Sequence, residues 1–125
     1  MMLYIDMDGV LVEPDSEDFS RRSWRSGGRE LWAAVRHLPL VLLSWGRTGS
    51  EYERILREKR EWVTRELGPS VVAIVLPDTP KAAHCKLGDI LIDDAVKHGE
   101  PWFAAGGVFI HHKNVADTLL QLGLK

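Results

Sequence analysis

A chain of 125 residues, 45% apolar and 27% charged, is long enough for one domain with its own core, and residues 1–125 read as a single domain. A net charge of −2 gives no broad pull toward nucleic acid or anionic lipid, and no apolar run approaches the roughly 20 residues that cross a bilayer. With Cys85 alone there is no internal disulfide, and Asp6 comes too early for a signal peptide, so a cytoplasmic location is expected.

The first element is a buried strand at residues 3–5, ending abruptly in Asp6-Met7-Asp8-Gly9. Side chains alternate along a strand, so Asp6 and Asp8 leave on one side and Met7 on the other. Two carboxylates at the lip of an apolar strand repel each other and lose hydration. They need a cation, a shared proton or strong donors to stay charged. The plainer alternative is a turn in which Asp caps backbone N–H groups and Gly9 makes the bend.

Residues 13–28, EPDSEDFSRRSWRSGG, form a long polar connection, and ordered loops of that length are usually functional or mobile. Its Arg21, Arg22, Trp24 and Arg25 suit a substrate loop, with guanidinium forks for phosphate and an indole for a base. The same residues also fit a solvated loop with one Trp tucked onto the core. Leu31, Val35 and Leu38 predict a helix over 29–38, stopped by Pro39. A second strand at 40–43 exits into Ser44-Trp45-Gly46, where Trp45 packs either a substrate ring or the core.

Residues 50–67 are the clearest helix, with Ser50 and Glu53 in a capping-box pattern. Tyr52, Ile55, Leu56, Trp62, Val63 and Leu67 form its apolar stripe, and Glu53–Arg57 and Glu61–Arg65 sit at i,i+4 on the wet side. A β-branched third strand follows at 71–76, then Lys81 opens a short segment. A fourth strand at 89–92, DILI, terminates in Asp93-Asp94. A fifth at 106–110 ends at His111-His112, and an amphipathic helix over 114–122 closes the chain.

Apolar strands alternating with helices predict an α/β fold, a Rossmann-like parallel sheet of about five strands with helices on both faces. Ligands in such sheets bind beyond the carboxyl ends of the strands. Asp6 with Asp8, Ser44, Lys81, and Asp93 with Asp94 all fall at that edge, which is the main sign of an active site. Four carboxylates in one pocket suit Mg²⁺, which accepts all-oxygen ligands and substrate phosphate oxygens. The pairs His84–Cys85 and His111–His112 lack a second pair at zinc-ligand spacing. For a bound phosphoryl group Lys81 supplies charge, while the Ser44 hydroxyl and N–H groups near Gly9 and Gly46 supply donors. Asp6 can then attack phosphorus, and Asp8 can protonate the leaving alcohol and later deprotonate water.

The four positions in order, Asp6-Met7-Asp8-Gly9-Val10, Ser44 after LPLVLL, Lys81, and Asp93-Asp94 after DILI, resemble the haloacid dehalogenase superfamily of aspartate-nucleophile phosphatases. Within it the chain looks closest to the 5′(3′)-deoxyribonucleotidases. That likeness rests on DMDGVL, on Lys59-Arg60-Glu61-Trp62-Val63 with Leu67-Gly68-Pro69, and on GDILIDD at 88–94, and it spans most of the chain. The resemblance implies Mg²⁺ dependence, Asp6 as nucleophile and Asp8 as general acid/base. It implies phosphate contacts from Ser44 and Lys81, metal ligation by Asp6, the Asp8 carbonyl and Asp93, and Asp94 as a supporting acid. Lys86 competes with Lys81, which has the better distance from Asp93 for the family pattern. The presence of Asp8 favours phosphate esters over dehalogenation.

One departure stands out. The deoxyribonucleotidases carry a helical cap between their first two motifs, and residues 13–39 hold only a flap and one helix. No cap fits between Ser44 and Lys81 either, so a capless core with an open site is expected. That site suits a nucleotide or nucleic-acid terminal phosphate, and alternatively a sugar phosphate or phosphoprotein. It also leaves room for a neighbouring chain to cover it as an oligomer. A non-catalytic phosphate-binding module of the same fold is the reading from another class.

Overall fold

A computed structural model of the chain describes residues 1–14, 18–47 and 49–124. Residues 15–17, inside the expected substrate loop, lie outside the described residues. The elements run β1 (Leu3–Ile5), α1 (Gly28–Val35), β2 (Leu40–Trp45), α2 (Tyr52–Glu66), β3 (Ala73–Leu76), β4 (Ile90–Asp93), α3 (Gly99–Ala104), β5 (Val108–His111) and α4 (Val115–Gln121). Short 3₁₀ turns at Phe19–Arg21, Gly49–Glu51, Lys81–His84 and Val96–His98 connect them.

All five strands are parallel, in the order β3-β2-β1-β4-β5. Alternation along β1 explains the two layers of core. Leu3 and Ile5 face a cluster closed by Leu31 and Val35 of α1, Trp62 and Val63 of α2, and Leu119 of α4. Tyr4 faces the other way, into a cluster with Leu43, Leu91 and Trp102 of α3. With both faces covered the strands can be apolar throughout, as expected from their sequence. Ile5 pairs with Leu42 on one side and Ile92 on the other. The chain winds outward from β1 toward β3 and, on the opposite side, from β4 to β5. The crevice at the carboxyl ends of β1 and β4 is therefore the topological switch point where α/β sheets bind ligands. Among the described residues no helix is long and apolar enough to cross a membrane.

Three local expectations change. The Ser50–Glu53 capping box does not form: a 3₁₀ turn runs straight into α2, whose first boundary residue, Glu51, is itself helical at φ −83° and ψ −21°. With the entry already helical, no side-chain oxygen is placed to cap it. The i,i+4 pair along α2 is Arg54–Glu58 at 3.0 Å, rather than Glu53–Arg57 or Glu61–Arg65. The helix α3 was not signalled, because GEPWFA is too short for periodicity and contains Pro101. It forms because fully buried Trp102 anchors it, donating its indole N–H to the Asp89 carbonyl at 3.0 Å.

Candidate active site

The β1–β4 ladder extends one residue beyond β1, since the Asp6 N–H donates to the Ile92 carbonyl at 2.9 Å. That step sets Asp6 beside Asp93, the last residue of β4, and both are buried. Lys81 reaches in from its 3₁₀ turn, with Nζ 2.9 Å from Asp6 Oδ1 and 2.7 Å from Asp93 Oδ2. The remaining Asp93 oxygen, Oδ1, accepts the Ala95 N–H at 2.9 Å, so both of its oxygens are engaged. Burial pushes the Asp6 carboxyl well above the usual carboxylate range; Lys81 opposes this, while Asp93 and Asp8 add to it. Burial also works against the Lys81 charge, but Asp6 and Asp93 outweigh it and hold that ammonium above its ordinary value.

Asp94 sits on the exposed side of the same edge, folded back over Gly9. A Cβ on Gly9 would stand 1.9 Å from Asp94 Oδ2, and Gly9 has φ +81°, so the position takes glycine for both space and backbone. Burial, then the neighbouring Asp93, raises the Asp94 carboxyl, and one of its oxygens lies within 4.8 Å of an Asp6 oxygen.

A second cluster forms around Asp8, whose side chain is 30% exposed. Arg22 Nη1 pairs with Asp8 Oδ1, and Lys59 Nζ lies 3.0 Å from Asp8 Oδ2. Lys59 Nζ also donates to Ser44 Oγ at 2.6 Å and to the Trp45 carbonyl at 2.5 Å. Burial pulls the Lys59 ammonium below its ordinary value, and Asp8 restores part of the loss. Sequence reasoning missed Lys59 in this role. The signal was present: Lys59 occupies the buried face of α2 in line with Ile55, Trp62 and Val63, where a solvated lysine does not belong.

Arg22 is delivered by a segment docked on α2. Trp62 donates its indole N–H to the Arg22 carbonyl at 2.9 Å, and the Phe19 N–H donates to Glu58 Oε1 at 3.2 Å. The Arg22 guanidinium lies over the Phe19 ring, 3.7 Å from its centroid. The expected basic grip of this loop is not assembled. Arg21 points outward beside Asp18 at 3.5 Å, and Arg25 is 3.8 Å from Glu13. Trp24 packs on Trp62 at 5.0 Å between ring centroids and donates to Glu66 Oε1 at 2.9 Å, so it belongs to the core side.

Two of the expected phosphate-binding groups already have partners within the protein. The Gly9 N–H donates to the Val12 carbonyl at 2.8 Å. Among the described residues, the N–H groups of Met7 and Asp8 are the ones in this turn that make no hydrogen bond within the protein. Ser44 reaches the predicted edge but is fully buried, with its oxygen already accepting from Lys59. Trp45 does line the pocket; its N–H is fixed on the Thr79 carbonyl at 2.8 Å, with Lys97 over its ring at 4.6 Å. The pocket holds about 210 Å³ and is walled by Asp6, Asp8, Trp45, Lys81, Asp94 and Lys97, with Asp93 and His98 beneath them.

The carboxylates are less exposed to mutual repulsion than the sequence suggested, because Lys81, Lys59 and Arg22 are interleaved among Asp6, Asp8, Asp93 and Asp94. One surplus negative charge remains. One oxygen each from Asp6, Asp93 and Asp94 lies within 4.8 Å of the others, an all-oxygen set. The Asp8 main-chain carbonyl accepts no hydrogen bond among the described residues. Two carboxyl groups as close as Asp6 and Asp94 need a proton or a cation between them. The donor set therefore fits a hard divalent ion.

No protein-family model and no curated protein sequence matches the chain. Among solved structures it is similar to the D,D-heptose 1,7-bisphosphate phosphatase from Burkholderia thailandensis, with a TM-score of 0.61 at 12% identity over 99% of both chains. At that identity the likeness is one of fold, and the chain shares the parallel α/β architecture of that phosphatase along its whole described length.

Proposed function

We propose that this chain is a Mg²⁺-dependent phosphomonoesterase of the haloacid dehalogenase type, with Asp6 as the nucleophile. The observation that carries the reading is Lys81 bridging Asp6 and Asp93 where β1 and β4 end side by side. An ammonium has three protons, and two are committed there, which leaves one for a phosphate oxygen entering the pocket. The Met7 and Asp8 N–H groups supply two further donors.

Asp6 and Asp94, with the Asp8 carbonyl, would hold the metal, and Asp93 would serve mainly as the partner of Lys81, because both its oxygens are engaged. That exchanges the roles the family resemblance gives to Asp93 and Asp94. When bound, Mg²⁺ neutralises the surplus negative charge and polarises the phosphoryl oxygens. An Asp6 carboxylate oxygen forms a bond to phosphorus as the ester P–O bond breaks, and the alkoxide takes a proton from Asp8. Asp8, ionised between Arg22 and Lys59 in the free protein, has received that proton from the entering phosphate monoanion. The Asp8 carboxylate then takes a proton from water as that water attacks phosphorus, releasing phosphate and restoring Asp6.

Among the described residues nothing closes the pocket, so nucleoside monophosphates and 5′- or 3′-phosphorylated oligonucleotides are the first substrates to test. Sugar phosphates form a second class, favoured by the structural likeness to a heptose bisphosphate phosphatase. A panel covering these classes, run with Mg²⁺ and with chelator, is expected to show metal-dependent phosphate release. Asp6→Asn is expected to lower it by at least about 10⁴-fold while the protein stays folded. Undiminished release by Asp6→Asn, or after chelation, would sink the assignment.

A further inference from the structure

Lys59 is the most deeply buried cation near the pocket, yet no step above uses it. It is not exposed to the pocket, which is walled by Asp8 and Trp45 in front of it. Its three ammonium protons are all accounted for by protein oxygens: Asp8 Oδ2 at 3.0 Å, Ser44 Oγ at 2.6 Å and the Trp45 carbonyl at 2.5 Å. A lysine with no proton left over cannot act on substrate as Lys81 can. Two of its three partners, Ser44 and Trp45, belong to the end of β2, which the sheet holds rigidly. The third, Asp8, lies in the turn after β1 and is the least buried of the site's carboxylates apart from Asp94.

We propose that Lys59 is a positioning residue that ties the Asp8 carboxyl to the end of β2, fixing the proton-transferring oxygens at the pocket wall. The inference rests on the phosphatase reading, in which Asp8 delivers the proton to the leaving group. Lys59 grips one oxygen from α2 and Arg22 grips the other from the docked 19–22 segment, so removing Lys59 leaves Asp8 held on one side only. General acid catalysis depends on that placement, because the donor must lie within hydrogen-bond reach of the departing oxygen.

Leaving-group chemistry provides the test. An alkyl phosphate such as glycerol phosphate expels an alkoxide that must be protonated as it departs, whereas p-nitrophenyl phosphate expels a stabilised phenolate that leaves without help. Lys59→Met is expected to lower kcat on the alkyl ester by about 10- to 100-fold, and on the aryl ester by less than about 3-fold. KM should change little on either, since Lys59 touches neither. Lys59→Arg, which keeps a cation and several donors, is expected to recover part of the alkyl activity. A merely structural role would lower both activities together. Equal losses on the two esters, or a gain on the alkyl ester showing that Lys59 restrains Asp8, overturns the inference alone. Absence of Mg²⁺-dependent turnover in the wild-type protein removes the phosphatase reading and takes this inference with it. Should Lys59→Met unfold, Lys59→Gln retains two donors and carries the same two-ester comparison.

Discussion

Lys81 and Lys59 are buried to nearly the same depth, at 3% and 1% exposure, yet their ammonium groups are driven in opposite directions. Burial opposes charge in both. Lys81 meets two carboxylates as buried as itself, and together they outweigh that cost. Lys59 meets one, Asp8, which is partly hydrated and shared with Arg22, and the cost wins. The carboxylates in excess therefore lie around Lys81, at Asp6, Asp93 and Asp94, rather than at Asp8. It also separates two kinds of work: Lys81 keeps a proton for a ligand, whereas Lys59 spends every proton on the protein.

The largest effect that can break this contrast is on stability. Lys81→Met leaves Asp6 and Asp93 buried together with no cation between them, which should cost about 3–5 kcal/mol. Mg²⁺ should recover part of it, because the ion neutralises the same carboxylates. Lys59→Met should cost less, since Asp8 retains Arg22 and contact with water. Urea unfolding of both variants, with and without Mg²⁺, measures the difference. A larger loss from Lys59→Met, or no Mg²⁺ recovery in Lys81→Met, would place the surplus charge elsewhere.

A smaller effect sharpens the metal side of the comparison. Gly9→Ala puts a Cβ into Asp94 and strains a backbone at φ +81°, costing about 1–3 kcal/mol. Asp94 must turn away to admit the methyl group. The Mg²⁺ concentration that half-saturates stabilisation is therefore expected to rise by about 10-fold, because the metal loses one of its two carboxylate ligands. An unchanged Mg²⁺ midpoint would show that Asp93 takes the metal after all and that Asp94 is dispensable.

The strand-end positions of Asp6, Ser44, Lys81 and Asp93 were legible because parallel strands covered on both faces have few polar residues, and those present mark the exits. Roles within the site were less legible. Glycine at position 9 looked like a phosphate-facing turn, while its function is to leave room for Asp94 from another strand. Lys59 looked like one more charge on an amphipathic helix, since a pattern of seven charged side chains between Glu53 and Glu61 hides the one that turns inward. Both depend on which distant residue occupies the adjoining space, and local pattern carries no information on that. The arginine loop shows a different limit. Its composition suits phosphate, while its pairing of Arg21, Arg22 and Arg25 with Asp18, Asp8 and Glu13 follows from the folded chain.

The two clusters also hang from different parts of the fold, and Trp62 tests whether they behave independently. The Asp6–Lys81–Asp93 group is fastened to β1 and β4, in the centre of the sheet. The Asp8 group depends on α2 and on the segment that Trp62 holds through the Arg22 carbonyl. Trp62→Phe keeps an aromatic ring in the core but leaves that carbonyl without its donor and opens a small cavity, at a cost of about 1–3 kcal/mol. The 19–22 segment should loosen first, so trypsin should cut after exposed Arg21 faster than in the wild-type protein, without global unfolding. The stabilisation gained from saturating Mg²⁺ should change little, because the two carboxylate ligands, Asp6 and Asp94, do not lean on that segment. Equal proteolysis would mean the segment is held by Phe19 and Arg22 alone. A parallel loss of Mg²⁺ stabilisation would mean the two lysine clusters form one cooperative unit, and that the contrast between them is one of charge but not of mechanical support.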